Sequence, residues 1–112
     1  MSWSDTSILK KIKNPNTERP YTIIVNSDEI TMIGVKNQPD FASIEIEMIP
    51  GDHVIELKSL KMYFLQFREK LMSYERLINV IYDDLKDIYT PLSLKITMKF
   101  KPRGGISSIL IV

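Results

Sequence analysis

The sequence predicts an α+β fold, an antiparallel sheet carrying two helices on one face, and three observations lead there. Asp40 to Ile49 and Leu92 to Lys101 alternate apolar and polar residues with the period of a strand. Between them run two apolar stripes at three- and four-residue steps, the period of a helix. β-Branched runs stand on either side, so the order is strand, strand, helix, helix, strand, strand. With short connections and antiparallel pairing, both helices fall on one face of the sheet.

The opening stretch to Pro20 is polar and carries Pro15 and Pro20; it reads as a mobile arm with a short helix around Ile8 to Ile12, leaving 21–112 as the single domain. Tyr21 to Asn26 is a β-branched run and a strand. Ser27 to Gln38 loses the pattern and reads as a loop, with a bulged or short strand near Ile30 to Ile33. In the next strand Ala42, Ile44, Ile46 and Met48 point one way, and Ser43, Glu45 and Glu47 the other. Pro50-Gly51-Asp52 ends it with turn chemistry. Leu57, Leu60, Phe64, Phe67 and Leu71 mark the first helix, and Tyr74, Leu77, Ile78, Ile81, Leu85 and Ile88 the second. Ser73 suits the start of that second helix and Pro91 its stop. Leu92, Leu94, Ile96, Met98 and Phe100 then alternate with Ser93, Lys95, Thr97, Lys99 and Lys101. Gly104-Gly105 makes a turn or bulge before the last run, Ile106 to Val112.

One sheet face therefore carries Glu45 and Glu47 on one strand and Lys95, Lys99 and Lys101 on another. It reads either as a solvated surface or as the wet interior of a barrel made by several subunits joined edge to edge, which would hide the sheet edges.

The 112 residues make one domain with a modest core. A net charge of +1 argues against a nucleic-acid footprint, and no apolar run approaches the roughly 20 residues that span a bilayer. Met1 to Lys13 lacks the apolar core of a signal peptide, so the cytoplasm is the expected compartment. There is no cysteine, which excludes disulfides, thiolate metal sites and a thiol nucleophile together. One histidine, His53, follows the Pro-Gly-Asp turn and reads as a surface residue, so no metal is expected.

Three segments are distinctive together: Gln38-Pro39-Asp40-Phe41-Ala42-Ser43-Ile44, Glu56-Leu57-Lys58-Ser59-Leu60-Lys61-Met62-Tyr63, and Lys101-Pro102-Arg103-Gly104-Gly105-Ile106. In this order and spacing they resemble the QueF-type family, which reduces 7-cyano-7-deazaguanine to its aminomethyl form with NADPH on the queuosine pathway of tRNA modification. The resemblance implies the tunnelling fold, whose subunits assemble into barrels, and hence a homo-oligomer, alone or mixed with a paralogue. It also implies NADPH as cofactor and a 7-deazaguanine-like base as the small-molecule partner.

By the same resemblance, Glu75 falls where the family anchors the purine-like ring. A carboxylate suits that task because it accepts two hydrogen bonds from an amidine-like edge. The residues alone equally allow a glutamate drawn to a helix N-terminus by the macrodipole. Asp40 falls on the family's general acid, or is simply a strand-entry residue after a proline. Lys58, Lys61 and Arg103 match basic positions for the NADPH phosphates; Lys58 and Lys61, three apart, share one helix face. Glu56 opens the second segment as a helix-start or a substrate-edge residue.

The pattern breaks at the reacting end. Seven residues before the aspartate the family has its nucleophilic cysteine, and here Ile33 occupies that position with Gly34 beside it. Neither side chain has a lone pair to attack a nitrile, so the covalent thioimide route is closed. Tyr74 stands where the family has a histidine near the substrate, and Ser73 where it has an aromatic that packs on the base. Three readings follow: a family member with altered or lost reductase chemistry, a non-catalytic base-binding or partner subunit, and a cyclohydrolase-like or other enzyme that uses Asp40 with Tyr74.

Overall fold

The computed structural model describes residues 2–112; Met1, the first residue of the expected arm, lies outside them. Four strands form the main sheet in the order β2-β3-β5-β6: β2 (Ile23–Ile33), β3 (Pro39–Ile49), β5 (Ser93–Arg103) and β6 (Ile106–Ile111), every neighbouring pair antiparallel. A two-stranded ribbon, β1 (Lys11–Lys13) with β4 (His53–Ile55), sits apart from it. The helices α1 (Leu57–Leu65) and α2 (Tyr74–Tyr89) both lie in the connection from β3 to β5, with a 3-10 turn, Gln66–Glu69, extending α1.

The alternation holds from Ala42 to Met48 in β3 and from Ile96 to Phe100 in β5, while Leu92, expected in the same row, precedes the strand and is exposed. Ala42, Ile44, Ile46 and Met48 are buried together with Ile96, Met98 and Phe100, against Leu60, Phe64, Phe67, Leu77, Ile81 and Leu85 from the helical stripes. At about 1.5–3 kcal/mol for each fully buried side chain, this layer dominates the stability of the fold.

Several expectations need correction. β2 does not end at Asn26; it continues to Ile33 through a register shift between Ser27 and Ile30. The one extra residue shifts the phase of the side chains, so a continuous strand loses its period of two and reads as a loop. Ile8 to Ile12 is not a helix: a 3-10 turn at Thr6–Ile8 gives way to β1. The segment expected as an arm lies against the domain, with Leu9 and Asn14 buried and the Lys10 carbonyl accepting from the Tyr89 hydroxyl at 2.8 Å. His53 opens strand β4 opposite Lys13 instead of standing in a turn.

On the open face the register sets Glu47 directly opposite Lys95, while Glu45 meets Thr97 and Ser43 meets Lys99. The Glu47–Lys95 pair is the opposite-charge pair set directly across this ladder; such a pair contributes about 0.2–1 kcal/mol. Exposed Ile24 on β2, and Ile109 and Ile111 on β6, flank this charged centre at the two edges of the sheet.

Candidate functional site

At one end of the sheet a cavity of about 350 Å³ opens between the strand ends and the N-terminus of α2, lined by Gly34, Gln38, Asp40, Met72, Ser73, Tyr74, Glu75 and Arg103. Its construction follows from the local sequence. The pleat of β3 puts Asp40 on the same face as Ala42 and Ile44, but one step beyond the reach of the apolar layer. The carboxylate is therefore buried, at 7% exposure, yet faces the cavity.

Two elements hold that carboxylate. The Arg103 Nε donates to Asp40 Oδ1 at 2.5 Å, Nη1 donates to Gln38 Oε1 at 2.6 Å, and Nη2 donates to the Pro39 carbonyl. A register shift between Phe100 and Arg103 breaks the alternation of β5 and brings Arg103 round to Asp40. Gly104 and Gly105, both at positive φ, then turn the chain tightly into β6. On the other side stands Gly34, where a Cβ would fall 1.8 Å from Asp40 Oδ2. The Gly34 N–H donates to the Gln38 carbonyl at 2.8 Å and closes the turn that leads into β3.

The α2 side of the cavity is built on one cap. The Ser73 hydroxyl accepts from the Arg76 N–H at 3.0 Å, so this N–H is capped without help from the neighbouring carboxylate. Tyr74, the first helical residue, lays its ring on Phe100 with centroids 3.8 Å apart and planes 9° off parallel. Partial burial, and then the nearby Asp40 carboxylate, push the Tyr74 hydroxyl above the ordinary tyrosine range. Glu75 is exposed, and among the described residues no group donates to its carboxylate.

Four of the residues singled out from the sequence, Asp40, Tyr74, Glu75 and Arg103, thus meet in one cavity. Ile33 does not line it. Its N–H donates to the Lys70 carbonyl at 3.0 Å and its carbonyl accepts from the Met72 N–H at 3.1 Å, which stitches the end of β2 to the segment before α2. Gly34, the next residue, faces the cavity instead. Glu56 is the N-cap of α1, where Oε1 accepts from the Ser59 N–H at 2.5 Å. Lys58 and Lys61 stand exposed on α1, Lys58 beside Glu56 and Met62, Lys61 beside Asn26 and Glu29. Neither shares a cavity with Arg103. Gln38 and Met72 were missed; a glutamine before a proline and a methionine outside the helical stripe carry no pattern of their own. The Asp40–Arg103 pair was missed as well, because the chain separates its members by 63 residues.

A family model described as QueF-like protein matches residues 39–112. The NADPH-dependent 7-cyano-7-deazaguanine reductase of Halorhodospira halophila is 42% identical over 107 residues, covering 95% of this chain and 91% of that protein. The protein of the same name from Aquifex aeolicus is 39% identical over 100 residues, with 88% of this chain and 78% of that protein covered. Among solved structures, the apo archaeosine synthase QueF-Like superposes with a TM-score of 0.75 at 16% identity, over 85% of this chain and 94% of the other. That likeness carries the fold, which is the tunnelling fold.

Proposed function

The chain belongs to the QueF-like protein family, and from that premise we propose that it binds a 7-deazaguanine-type base without the covalent chemistry of its reductase relatives. One observation carries this reading: a cavity holding Glu75 and Asp40 persists in a chain that has no cysteine. Glu75, with no donor of its own, is free to accept the N–H and exocyclic amine of a guanine-like edge, two charge-assisted hydrogen bonds of about 1.5–3 kcal/mol each. Asp40, gripped by Arg103, serves as a fixed acceptor at the far end of the ring.

A nitrile carbon needs a thiol nucleophile before hydride can reduce it by the thioimide route, and the chain has no cysteine to supply one. NADPH fits the residues poorly within one chain. Lys58 and Lys61 would meet its phosphates on α1, but Arg103 stands at the other cavity with three of its five N–H groups on Asp40, Gln38 and Pro39. We therefore assign no hydride step to this chain.

The reading extends to a cytoplasmic homo-oligomer. β2 and β6 are open edges with Ile24, Ile109 and Ile111 exposed along them, and joining subunits edge to edge would cover both. Among the described residues no helix is long and apolar enough to cross a membrane.

Calorimetry with 7-cyano-7-deazaguanine, on this chain and on Glu75→Ala, with NADPH consumption followed in parallel, tests the reading. Binding by the parent chain, lost by about 100-fold or more in Glu75→Ala, without NADPH turnover, is the expected result. NADPH oxidation coupled to loss of the nitrile would overturn it, and so would an absence of binding.

A further inference from the structure

We infer that Trp3 is a positioning residue for the cavity. It staples the two flanks of the stretch that forms the α2 wall, so that the N-terminal segment and that wall open and close as one unit. The inference rests on the base-binding reading above only in naming what the wall receives.

Four consecutive residues, Met72, Ser73, Tyr74 and Glu75, form that wall. They begin in the short connection between the 3-10 turn Gln66–Glu69 and α2, where the backbone has no helical ladder of its own. One tie across this connection is the pair of hydrogen bonds to Ile33, from Ile33 N–H to the Lys70 carbonyl and from Met72 N–H to the Ile33 carbonyl. Trp3 supplies another. Its carbonyl accepts from Lys70 Nζ at 2.9 Å, and the Arg76 guanidinium lies over its ring, 4.7 Å from the centroid. Lys70 and Arg76 bracket residues 72–75, and one residue from the far end of the chain holds both.

The residues after Trp3 fix it in place. The Ser4 hydroxyl donates to Asp84 Oδ2 at 2.5 Å, an oxygen that also accepts from the buried Tyr63 hydroxyl. Asp5 N–H donates to Gln66 Oε1 at 2.7 Å, and the Asp5 carbonyl accepts from Gln66 Nε2 at 3.2 Å. Each of these contacts uses at least one side chain. Among the described residues, no backbone-to-backbone hydrogen bond joins residues 2–8 to another element; that pairing starts beyond the buried Leu9, where the Lys10 carbonyl accepts from Glu56 N–H. A segment held through side chains opens at smaller cost than a sheet held through its backbone. Trp3 stands near its tip, 40% exposed. Opening releases Lys70 and Arg76 together and leaves the Ile33 pair as the remaining backbone tie between the connection and the sheet.

Amide hydrogen exchange in the parent chain, Trp3→Ala, Trp3→Phe and Lys70→Met tests this. The Met72 and Ile33 N–H groups report the wall, and the Ile46 N–H, in a strand paired on both sides, reports the sheet. Loss of an exposed cation–π contact predicts exchange at Met72 and Ile33 about 2- to 5-fold faster in Trp3→Ala. Loss of the lysine hydrogen bond predicts exchange about 2- to 12-fold faster in Lys70→Met, with Ile46 unchanged in both. Trp3→Phe keeps a ring for Arg76 and should exchange within about twofold of the parent. Coupling is reciprocal, so saturating the parent with 7-cyano-7-deazaguanine should slow exchange at Asp5 N–H, which lies on the N-terminal segment and outside the cavity. Unchanged exchange at Met72 and Ile33 in Trp3→Ala, or a rise shared equally by Ile46, overturns the inference. A Trp3→Phe chain that behaves like Trp3→Ala overturns it too, as does bound ligand that leaves exchange at Asp5 unchanged. A parent chain that binds no base overturns the base-binding reading, and the comparison of variants still decides the role of Trp3.

Discussion

Each helix of this protein begins with a serine, a glutamate and a tyrosine in close company, and the two sets do opposite things. At the start of α1, Glu56 caps the helix through Ser59 N–H, and the Ser59 hydroxyl donates to the Glu56 carbonyl at 2.7 Å while accepting from Lys10 N–H at 3.0 Å. The Lys10 carbonyl in turn accepts from Glu56 N–H at 3.2 Å and from the Tyr89 hydroxyl at 2.8 Å. Every one of these groups is consumed within the protein. At the start of α2, Ser73 does the capping alone, Tyr74 is stacked against the core, and the Glu75 carboxylate has no partner. A helix start needs only so many acceptors for its free N–H groups. Where the serine supplies one, the glutamate is released for a ligand; where the glutamate supplies it, the carboxylate is held by the helix through Oε1.

The sharpest way to break this comparison is to remove each carboxylate in turn. Glu75→Ala should lower base affinity by about 100-fold or more while leaving unfolding free energy within about 0.5 kcal/mol. Glu56→Ala should do the reverse, with affinity within about twofold of the parent and a loss of about 1–2 kcal/mol in stability, the range for a lost N-cap. Paired denaturant titrations and calorimetry read both quantities. A Glu75→Ala chain that is destabilised like Glu56→Ala would make Glu75 a structural residue and end the distinction.

A smaller effect sharpens it. Ser73→Ala removes the acceptor for Arg76 N–H and should cost about 1 kcal/mol by urea denaturation. If that substitution costs nothing, Glu75 has taken over the cap, and its freedom in the parent chain was not enforced by Ser73.

Neither role could be assigned from the sequence, and the reason is physical. Both glutamates stand where the macrodipole favours an acid, so composition and spacing treat them alike; the deciding fact is which acceptor reaches the N–H groups first. The regular layer was legible, because burial on one face imposes a period. Ala42, Ile44, Ile46 and Met48 read as a strand, and Leu77, Ile81 and Leu85 as a helix stripe, because each period is sustained over several repeats. The β1–β4 ribbon was not legible: three residues a side, Lys-Ile-Lys against His-Val-Ile, are too few to show alternation. The far half of β2 was hidden by its register shift. In the cavity, the family resemblance brought Asp40, Tyr74 and Glu75 forward. It gave no sign that Arg103 would close on Asp40, since that contact is made by two strand ends that only the folded sheet brings together.

The tyrosines offer the gentlest test of the two helix starts. Burial first, and the nearby Glu56 carboxylate as a further push, raise the Tyr89 hydroxyl from 10.0 to about 12. An acid raised on folding stabilises the protein fully below its unfolded value, and that contribution is lost as pH climbs through the folded one. Between about pH 10 and 12, then, the unfolded chain ionises this tyrosine while the folded chain resists, and stability falls with rising pH. Tyr89→Phe gives up the hydrogen bond to Lys10, about 1 kcal/mol near pH 7, but is spared this alkaline loss. The stability gap between parent and Tyr89→Phe should therefore narrow above pH 10. Buried Tyr63, whose hydroxyl is also pushed up by burial and by Asp84, contributes equally to both chains and cancels from the difference. Tyr74→Phe should narrow far less, because Tyr74 is half-exposed at an open cavity and water screens its ionisation. Urea titrations of the three chains at neutral pH and near pH 11 measure the contrast. Equal narrowing in both variants would mean that the two helix starts share one environment, and the division between a closed start and an open one would fail.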